Sequence, residues 1–162
     1  MVRSDPAQGD TRIRDVEADD LEAFFEHQRD PEAVREAAVP VREREAFMAH
    51  WAKILADETG VTQAVVVAGR VVGNVVSWED SGRRYVGYWI ERSAWGRGVA
   101  TTALALFLGR VTSRPLYAYV AVANVGSIRV LEKCGFLRAT EHVSDPATPD
   151  VDDVEEFLLV LE

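Results

Sequence analysis

A change in apolar period near the middle of the chain constrains its fold most strongly. Three runs typical of β-strands, residues 61–67, 71–78 and 83–90, follow one another with short turn segments between them. The run after them places apolar side chains at every third or fourth position, which is the period of a helix. Its apolar residues are Ala100, Ala103, Leu104, Phe107, Leu108 and Val111. The sequence therefore predicts a three-stranded antiparallel meander followed by a helix.

Shorter segments on both sides of the meander extend this order of elements. They are a strand at residues 11–16, two helices around Phe24 and Trp51 joined across Pro31 and Pro40, a strand at 116–122, a helix at 124–134, and strands at 137–143 and 154–161. No internal repeat or long linker divides the chain. We expect one α/β domain over residues 11–162, with a mixed, mostly antiparallel seven-stranded sheet and about four helices. Residues 1–10 are expected to form a flexible leader.

Size and cysteine content bound the class of protein. A chain of 162 residues is long enough to bury a core without a covalent staple. Cys134 has no second cysteine with which to form an internal disulfide, which favours a reducing compartment. No apolar run approaches the roughly 20 residues of a membrane span, and residues 1–10 lack the order of an export signal. We therefore expect a cytoplasmic protein without a membrane partner.

The charge balance narrows the choice of partners. Eighteen Lys and Arg against 27 Asp and Glu give a formal net charge of -9 and a pI near 4.9. Such a surface repels the phosphate backbone of nucleic acids at long range, so we expect no nucleic-acid partner. The composition fits either a cationic partner or an acidic surface that only confers solubility.

Residues 95–100, Trp-Gly-Arg-Gly-Val-Ala, form a glycine-containing loop between a predicted strand and a predicted helix. Backbone amides at a helix N-terminus attract anions, and Gly96 and Gly98 let a ligand approach them closely. Arg97 adds a charged donor. A Walker loop would need a Gly-Lys-Ser or Gly-Lys-Thr tail, and a dinucleotide fingerprint would need glycine in place of Thr101. A phosphate-binding loop of another kind and a merely tight connection both remain possible.

The loop resembles the pyrophosphate-binding motif of the GNAT superfamily of acetyltransferases, Gln/Arg-x-x-Gly-x-Gly/Ala, at Gly98 and Ala100. Trp95 takes the place of the usual Gln or Arg. The form aromatic-Gly-Arg/Lys-Gly-x-Ala-Thr is common in the RimJ/RimL-like branch, and residues 95–101 match it. Thr102 stands where that branch usually has Glu.

Two further segments make the resemblance more specific. Residues 124–127, Asn-Val-Gly-Ser, and residues 132–136, Glu-Lys-Cys-Gly-Phe, resemble the second cofactor segment of the family. Residues 87–90, Gly-Tyr-Trp-Ile, resemble the fourth strand of the branch. The resemblance implies a GNAT-like fold in which the fourth and fifth strands splay apart, and an N-acetyltransferase domain over residues 11–162.

The resemblance also implies that acetyl coenzyme A is the acetyl donor and lies in the notch between the splayed strands. Its pantetheine arm would pair with backbone as an added strand, and its pyrophosphate would accept hydrogen bonds from the loop amides. The residues that the resemblance assigns to this cofactor are Trp89, Ile90, Glu91, Trp95, Gly96, Arg97, Gly98, Val99, Ala100, Thr101, Asn124, Ser127 and Lys133.

Direct transfer to an amine needs a proton donor for the departing thiolate and a base for the amine. Many relatives use a Tyr as the donor, but Leu131 takes its place here, so the resemblance points to Ser127. Alternatively, Ser127 only bonds helix backbone. No base can be carried over, because Tyr85 stands where relatives often have Glu; candidates are Glu79, Glu91 and a carboxylate of the final loop.

The acceptor is expected to be a primary amine, such as a protein N-terminus, a polyamine or an amino sugar. Acidic side chains that could attract its ammonium group lie before the last strand: Asp145, Asp150, Asp152, Asp153, Glu155 and Glu156. The alternative is a solvated loop. Trp51 and Trp78 could wall the acceptor pocket, although residues at such periodic positions usually belong to the core.

The remaining chemistry-bearing residues give no separate site. We predict no metal centre, because His27, His50 and His142 lack ligand spacing. Cys134 fits a small buried side chain. The sequence thus favours an N-acetyltransferase that is a monomer or a homodimer, and the departures at Leu131 and Tyr85 leave a noncatalytic acyl-CoA-binding domain as the alternative.

Overall fold

A computed structural model of the chain describes residues 10–37, 41–139 and 156–162. Its seven-stranded sheet has the order β1-β2-β3-β4-β5-β7-β6, in which only β4 and β5 run parallel. The strands are β1 Thr11–Asp15, β2 Val61–Val67, β3 Arg70–Asp80, β4 Arg83–Ile90, β5 Leu116–Ala121, β6 Leu137–Arg138 and β7 Glu156–Leu161. The predicted mixed sheet is confirmed. The part of the last-but-one strand predicted beyond Ala139 lies outside the described residues.

The helices differ from the prediction in one place. They are α1 Asp20–His27, α2 Pro31–Ala37, α3 Arg44–Ala56, α4 Val99–Leu108 and α5 Val125–Lys133, with a short 3₁₀ turn at Arg92–Ala94. The sequence predicted about four, because Pro31 was interpreted as part of a connection. Pro31 instead occupies the first helical position, where a missing N–H costs nothing. Asp30 caps the helix, since its Oδ1 accepts hydrogen bonds from the backbone N–H groups of Glu32 and Ala33 at 2.9 and 3.3 Å.

The sheet carries a core on each face. On one face α4 and α5 pack against the central strands, and Leu104, Phe107 and Leu131 are almost fully buried there. On the other face α1 and α3 bury Phe24 and Trp51. Trp51 is 2% exposed and therefore belongs to this core. Within the described ranges, no helix has the length and apolar character needed to cross a membrane.

The predicted splay between β4 and β5 is confirmed by their pairing. The two strands are in register only at Arg84 with Leu116 and at Tyr85 with Tyr117. Both continue past these pairs, to Ile90 and Ala121, without further pairing to each other. The second half of β4 therefore presents an unpaired edge to a notch in the sheet.

Candidate active site

A cavity of about 460 Å³ opens at this notch, between β4, the loop before α4, and the helices α2 and α5. Most of the residues predicted to bind the cofactor line it: Trp89, Ile90, Trp95, Gly96, Gly98, Val99, Ala100, Thr101, Asn124, Ser127 and Lys133. Side chains that the sequence did not single out also line it, among them Glu36, Tyr88 and Arg129. The fold thus brings two distant motifs to one cavity.

The loop before α4 has the geometry of an anion site. Gly96 and Gly98 have φ angles of 72° and 76°, in the left-handed region that favours glycine. The first helical hydrogen bond runs from the N–H of Thr102 to the carbonyl of Gly98 at 3.0 Å. The amides of the first turn precede this bond, no side chain caps them, and no acidic residue lies among them. They are therefore available to a phosphate group.

Trp95 fastens this loop to the end of β4. Its indole Nε1–H donates to the carbonyl of Ile90 at 2.8 Å, and its side chain is 40% exposed at the cavity. The amide of Trp95 also donates to the carbonyl of Arg92 at 3.0 Å. Trp95 thus fixes the loop to the end of β4.

Asn124 begins α5 at the opposite wall of the cavity. Its side-chain Oδ1 accepts a hydrogen bond from the N–H of Ser127 at 3.2 Å, which is an N-cap. The cap uses the oxygen of the carboxamide, so its NH₂ group is the part that can donate to a ligand.

Tyr88 and Ser127 form a pair of hydroxyl groups inside the cavity. Tyr88 Oη lies 2.5 Å from Ser127 Oγ, where either hydroxyl can be the donor, and its O–H can donate to the carbonyl of Ser127 at 3.2 Å. Burial raises the pKa of Tyr88 to about 12, although the hydrogen bond with Ser127 opposes this. The phenol is consequently protonated at neutral pH and acts as a hydrogen-bond donor.

Glu91 and Arg97 are the predicted cofactor residues that do not line this cavity. Arg97 is exposed. The Glu91 N–H donates to the carbonyl of Val72 at 2.8 Å, and its carboxylate pairs with Arg70 and with His27 Nε2, the latter at 3.2 Å. Burial lowers the pKa of His27, so this imidazole is neutral at neutral pH. Glu91 therefore ties β4 to α1.

Three more residues that the sequence singled out make contacts with other residues of the protein: Glu79, Trp78 and Cys134. Glu79 is exposed and pairs with Arg84 at 3.3 Å. Trp78 stacks on Tyr85 with ring centroids 5.9 Å apart. The Cys134 thiol is half-buried and donates to the carbonyl of Thr101 at 3.7 Å, and burial raises its pKa.

Part of the predicted acceptor region is not described. His142 and the acidic run lie outside the described residues, except for Glu156, which begins β7. Among the described residues, no group of three or more His, Cys, Asp or Glu could hold a metal ion.

The family of the chain follows from a comparison with family models. The model of the acetyltransferase (GNAT) domain matches residues 10–137. The chain therefore belongs to the GNAT acetyltransferase family, and the predicted membership is confirmed. No curated protein matches the chain.

Solved structures with the same fold include RimJ from Mycobacterium smegmatis in complex with CoA-disulfide, at 19% identity and a TM-score of 0.76, over 93% of this chain and 81% of RimJ. RimL, the ribosomal L7/L12 alpha-N-protein acetyltransferase, solved with coenzyme A, has 14% identity and a TM-score of 0.79, over 97% of this chain and 96% of RimL. Spermidine N-acetyltransferase from Vibrio cholerae, solved with CoA and spermine, has 17% identity and a TM-score of 0.76, over 94% of both chains. At these identities the likeness shows a shared fold.

Proposed function

We propose that this GNAT protein transfers the acetyl group of acetyl coenzyme A to a primary amine by direct attack within a ternary complex. One observation carries the proposal: the uncapped amides before α4 and the unpaired edge of β4 open onto the same cavity. A ligand with a diphosphate at one end and a thioester arm at the other is the kind that such a cavity fits.

The part of the cavity that would face the negatively charged diphosphate carries positive charge. The first-turn amides of α4 carry a partial positive charge, and Arg129 and Lys133 of α5 line the same cavity. Charge-assisted hydrogen bonds to phosphate are stronger than neutral ones. These groups would hold the diphosphate of coenzyme A.

The unpaired edge of β4 could form hydrogen bonds with the pantetheine arm of the ligand. The second half of β4 has no partner in β5, although β3 pairs with its other side as far as Ile90. An extended chain of amides can bind such an edge as an added strand. The pantetheine arm would therefore run through the notch towards the hydroxyl pair.

Bound acetyl coenzyme A would supply an activated acyl group: the amine nitrogen gains the acyl carbon, and the carbon–sulfur bond breaks. A thiol has an ordinary pKa of about 8.5, so a phenol with a pKa of about 12 would have to transfer its proton uphill by about 5 kcal/mol. A serine hydroxyl is also a weaker acid than a thiol, so Ser127, expected from the resemblance to be the proton donor, is assigned together with Tyr88 to hydrogen bonding at the sulfur. The proton that finally neutralises the thiolate comes from the amine, which loses one when the amide forms.

Removing either hydroxyl of this pair should slow turnover. We expect Ser127→Ala and Tyr88→Phe each to lower kcat about tenfold, which corresponds to about 1.4 kcal/mol. The double variant should be little worse than either single one, because the two groups act as a unit. Steady-state kinetics at saturating acetyl coenzyme A measure this effect. Tyr117→Phe is the control, since it removes a phenolic hydroxyl from β5 that makes no described hydrogen bond; unchanged turnover of Ser127→Ala would remove the assignment.

Acetyl transfer itself is tested by the release of free thiol from acetyl coenzyme A in the presence of a panel of amines. The noncatalytic alternative rests on Leu131 and Tyr85, which stand where the family usually has Tyr and Glu and lack the groups of those residues. Both functions predict that acetyl coenzyme A raises the melting temperature. Only the enzyme releases thiol when an amine is added, and binding without thiol release from any amine would favour the alternative.

A further inference from the structure

The cavity has one wall that neither the cofactor nor the hydroxyl pair accounts for. It is formed by α2, whose residues Ala33, Glu36 and Ala37 line the cavity at the spacing of one helical face. Glu36 is the only carboxylate among the described residues that line the cavity. Because the cationic residues there, Arg129 and Lys133, both lie on α5, positive and negative side chains stand on different walls.

The position of α2 is fixed by ion pairs at its N-terminus. The Arg92 guanidinium contacts both Asp30 Oδ2 and Glu32 Oε2 at 3.1 Å. Asp30 also caps the helix, and Ala33 is 2% exposed. Since α2 contacts β5 as well, it reaches across the notch from the turn that follows β4. The carboxylate of Glu36 is therefore carried on an anchored helix.

Glu36 also differs from the acids around it in having no partner in the part of the chain that the structure describes. Asp30 and Glu32 both form ion pairs with Arg92, and Glu91 forms one with Arg70. Glu36 makes no ion pair or side-chain hydrogen bond with any described residue, and it is exposed. An unpaired carboxylate at the cavity is complementary to a cation.

A carboxylate that binds an ammonium group favours the protonated form of that group. The attacking nitrogen must instead be unprotonated, so tight pairing of that nitrogen with Glu36 would oppose the reaction. A second ammonium group on the same molecule has no such conflict. We propose that Glu36 binds a second, non-reacting ammonium group of the acceptor, and that this protein therefore prefers acceptors with two or more amino groups. This inference rests on the proposed acetyl transfer.

The test compares two acceptors of equal length, 1,5-diaminopentane and pentylamine. With the unmodified protein we expect kcat/KM to be at least about tenfold higher for the diamine. Glu36→Gln should remove this preference by raising KM for the diamine while leaving kcat nearly unchanged, because uniform binding is lost. Glu36→Asp should keep part of it. Glu45→Gln, the same change at an exposed position of α3, is the matched control and should keep all of it.

The outcomes separate this inference from the acetyl transfer on which it rests. If Glu36→Gln keeps the preference, or if the unmodified protein has none, Glu36 does not select the acceptor. If no amine releases thiol, the proposed acetyl transfer is wrong. The role of Glu36 is then tested separately, by calorimetric titration of the coenzyme A complex with 1,5-diaminopentane. About tenfold weaker binding in Glu36→Gln would support its role, and equal binding or none would overturn it.

Discussion

Replacing Gly96 with valine is expected to weaken coenzyme A binding at least about 100-fold, or about 2.7 kcal/mol, while the protein stays folded. Gly96 has a φ of 72°, and an added Cβ would meet no atom within 4 Å. The valine side chain therefore meets no steric obstacle. The cost of the substitution comes from the left-handed backbone conformation and is about 1–2 kcal/mol. The loop can relieve this strain by turning Gly96 to a negative φ. That turn redirects the neighbouring amides away from the phosphate site.

Gly82→Val provides a matched control for this experiment. Gly82 has a φ of 81°, an added Cβ there also meets nothing within 4 Å, and the residue lies in the turn between β3 and β4. Both variants should lose a similar, small amount of stability in thermal melting. Only Gly96→Val should lose affinity in calorimetric titration with coenzyme A. Equal affinities of the two variants would show that the loop amides do not hold the ligand.

Replacing Gly73 with alanine should destabilise the protein by about 3 kcal/mol, which lowers the melting temperature by about 10 °C for a chain of this size. The reason is a close approach between β3 and β4. A Cβ at Gly73 would lie 2.1 Å from the carbonyl oxygen of Trp89 and 2.9 Å from Ile90 Cδ1. The end of β4 must move to admit it, and both of these residues line the cavity. Coenzyme A affinity should fall together with stability.

The same substitution at Gly87 serves as the comparison. Gly87 lies in β4, the strand that pairs with β3, but the nearest atom to an added Cβ there is Trp78 Cη2 at 3.4 Å, which is an ordinary contact. Gly87→Ala should therefore change the free energy of unfolding by less than about 1 kcal/mol. Thermal melting of the two variants side by side measures the difference. A Gly73→Ala variant as stable as Gly87→Ala would contradict the close approach of the two strands.

Local features of the site could be predicted from the sequence because their causes are local. Gly96 and Gly98 adopt positive φ next to the start of α4. The glycines and the start of the helix lie within a few residues of each other in the sequence. Asn124, predicted only as a cofactor residue, also caps α5 by accepting a hydrogen bond from the N–H of Ser127, three positions later. The helix α2 was missed because Asp30 and Pro31 are equally typical of a turn and of a helix start. The packing of this segment across the notch, rather than its local sequence, selects the helix over the turn.

Contacts between distant segments could not be predicted in this way. Tyr88 and Ser127 are 39 positions apart, and only the alternation of β4, which turns Tyr88 towards α5, could have suggested their contact. The carboxylate of Glu91 pairs with His27 and Arg70, each from a different element, and the residue pattern predicted neither partner. Such pairings depend on the tertiary arrangement, which a residue pattern does not contain.

We propose that the backbone amides of residues 96–101 bind the diphosphate of coenzyme A. The most direct measurement is a set of amide NMR spectra of the isotope-labelled protein during titration with coenzyme A. We expect the largest shifts at Gly96, Gly98, Val99, Ala100 and Thr101, and smaller ones along the second half of β4. Unchanged amide signals across this loop at millimolar coenzyme A would contradict the claim.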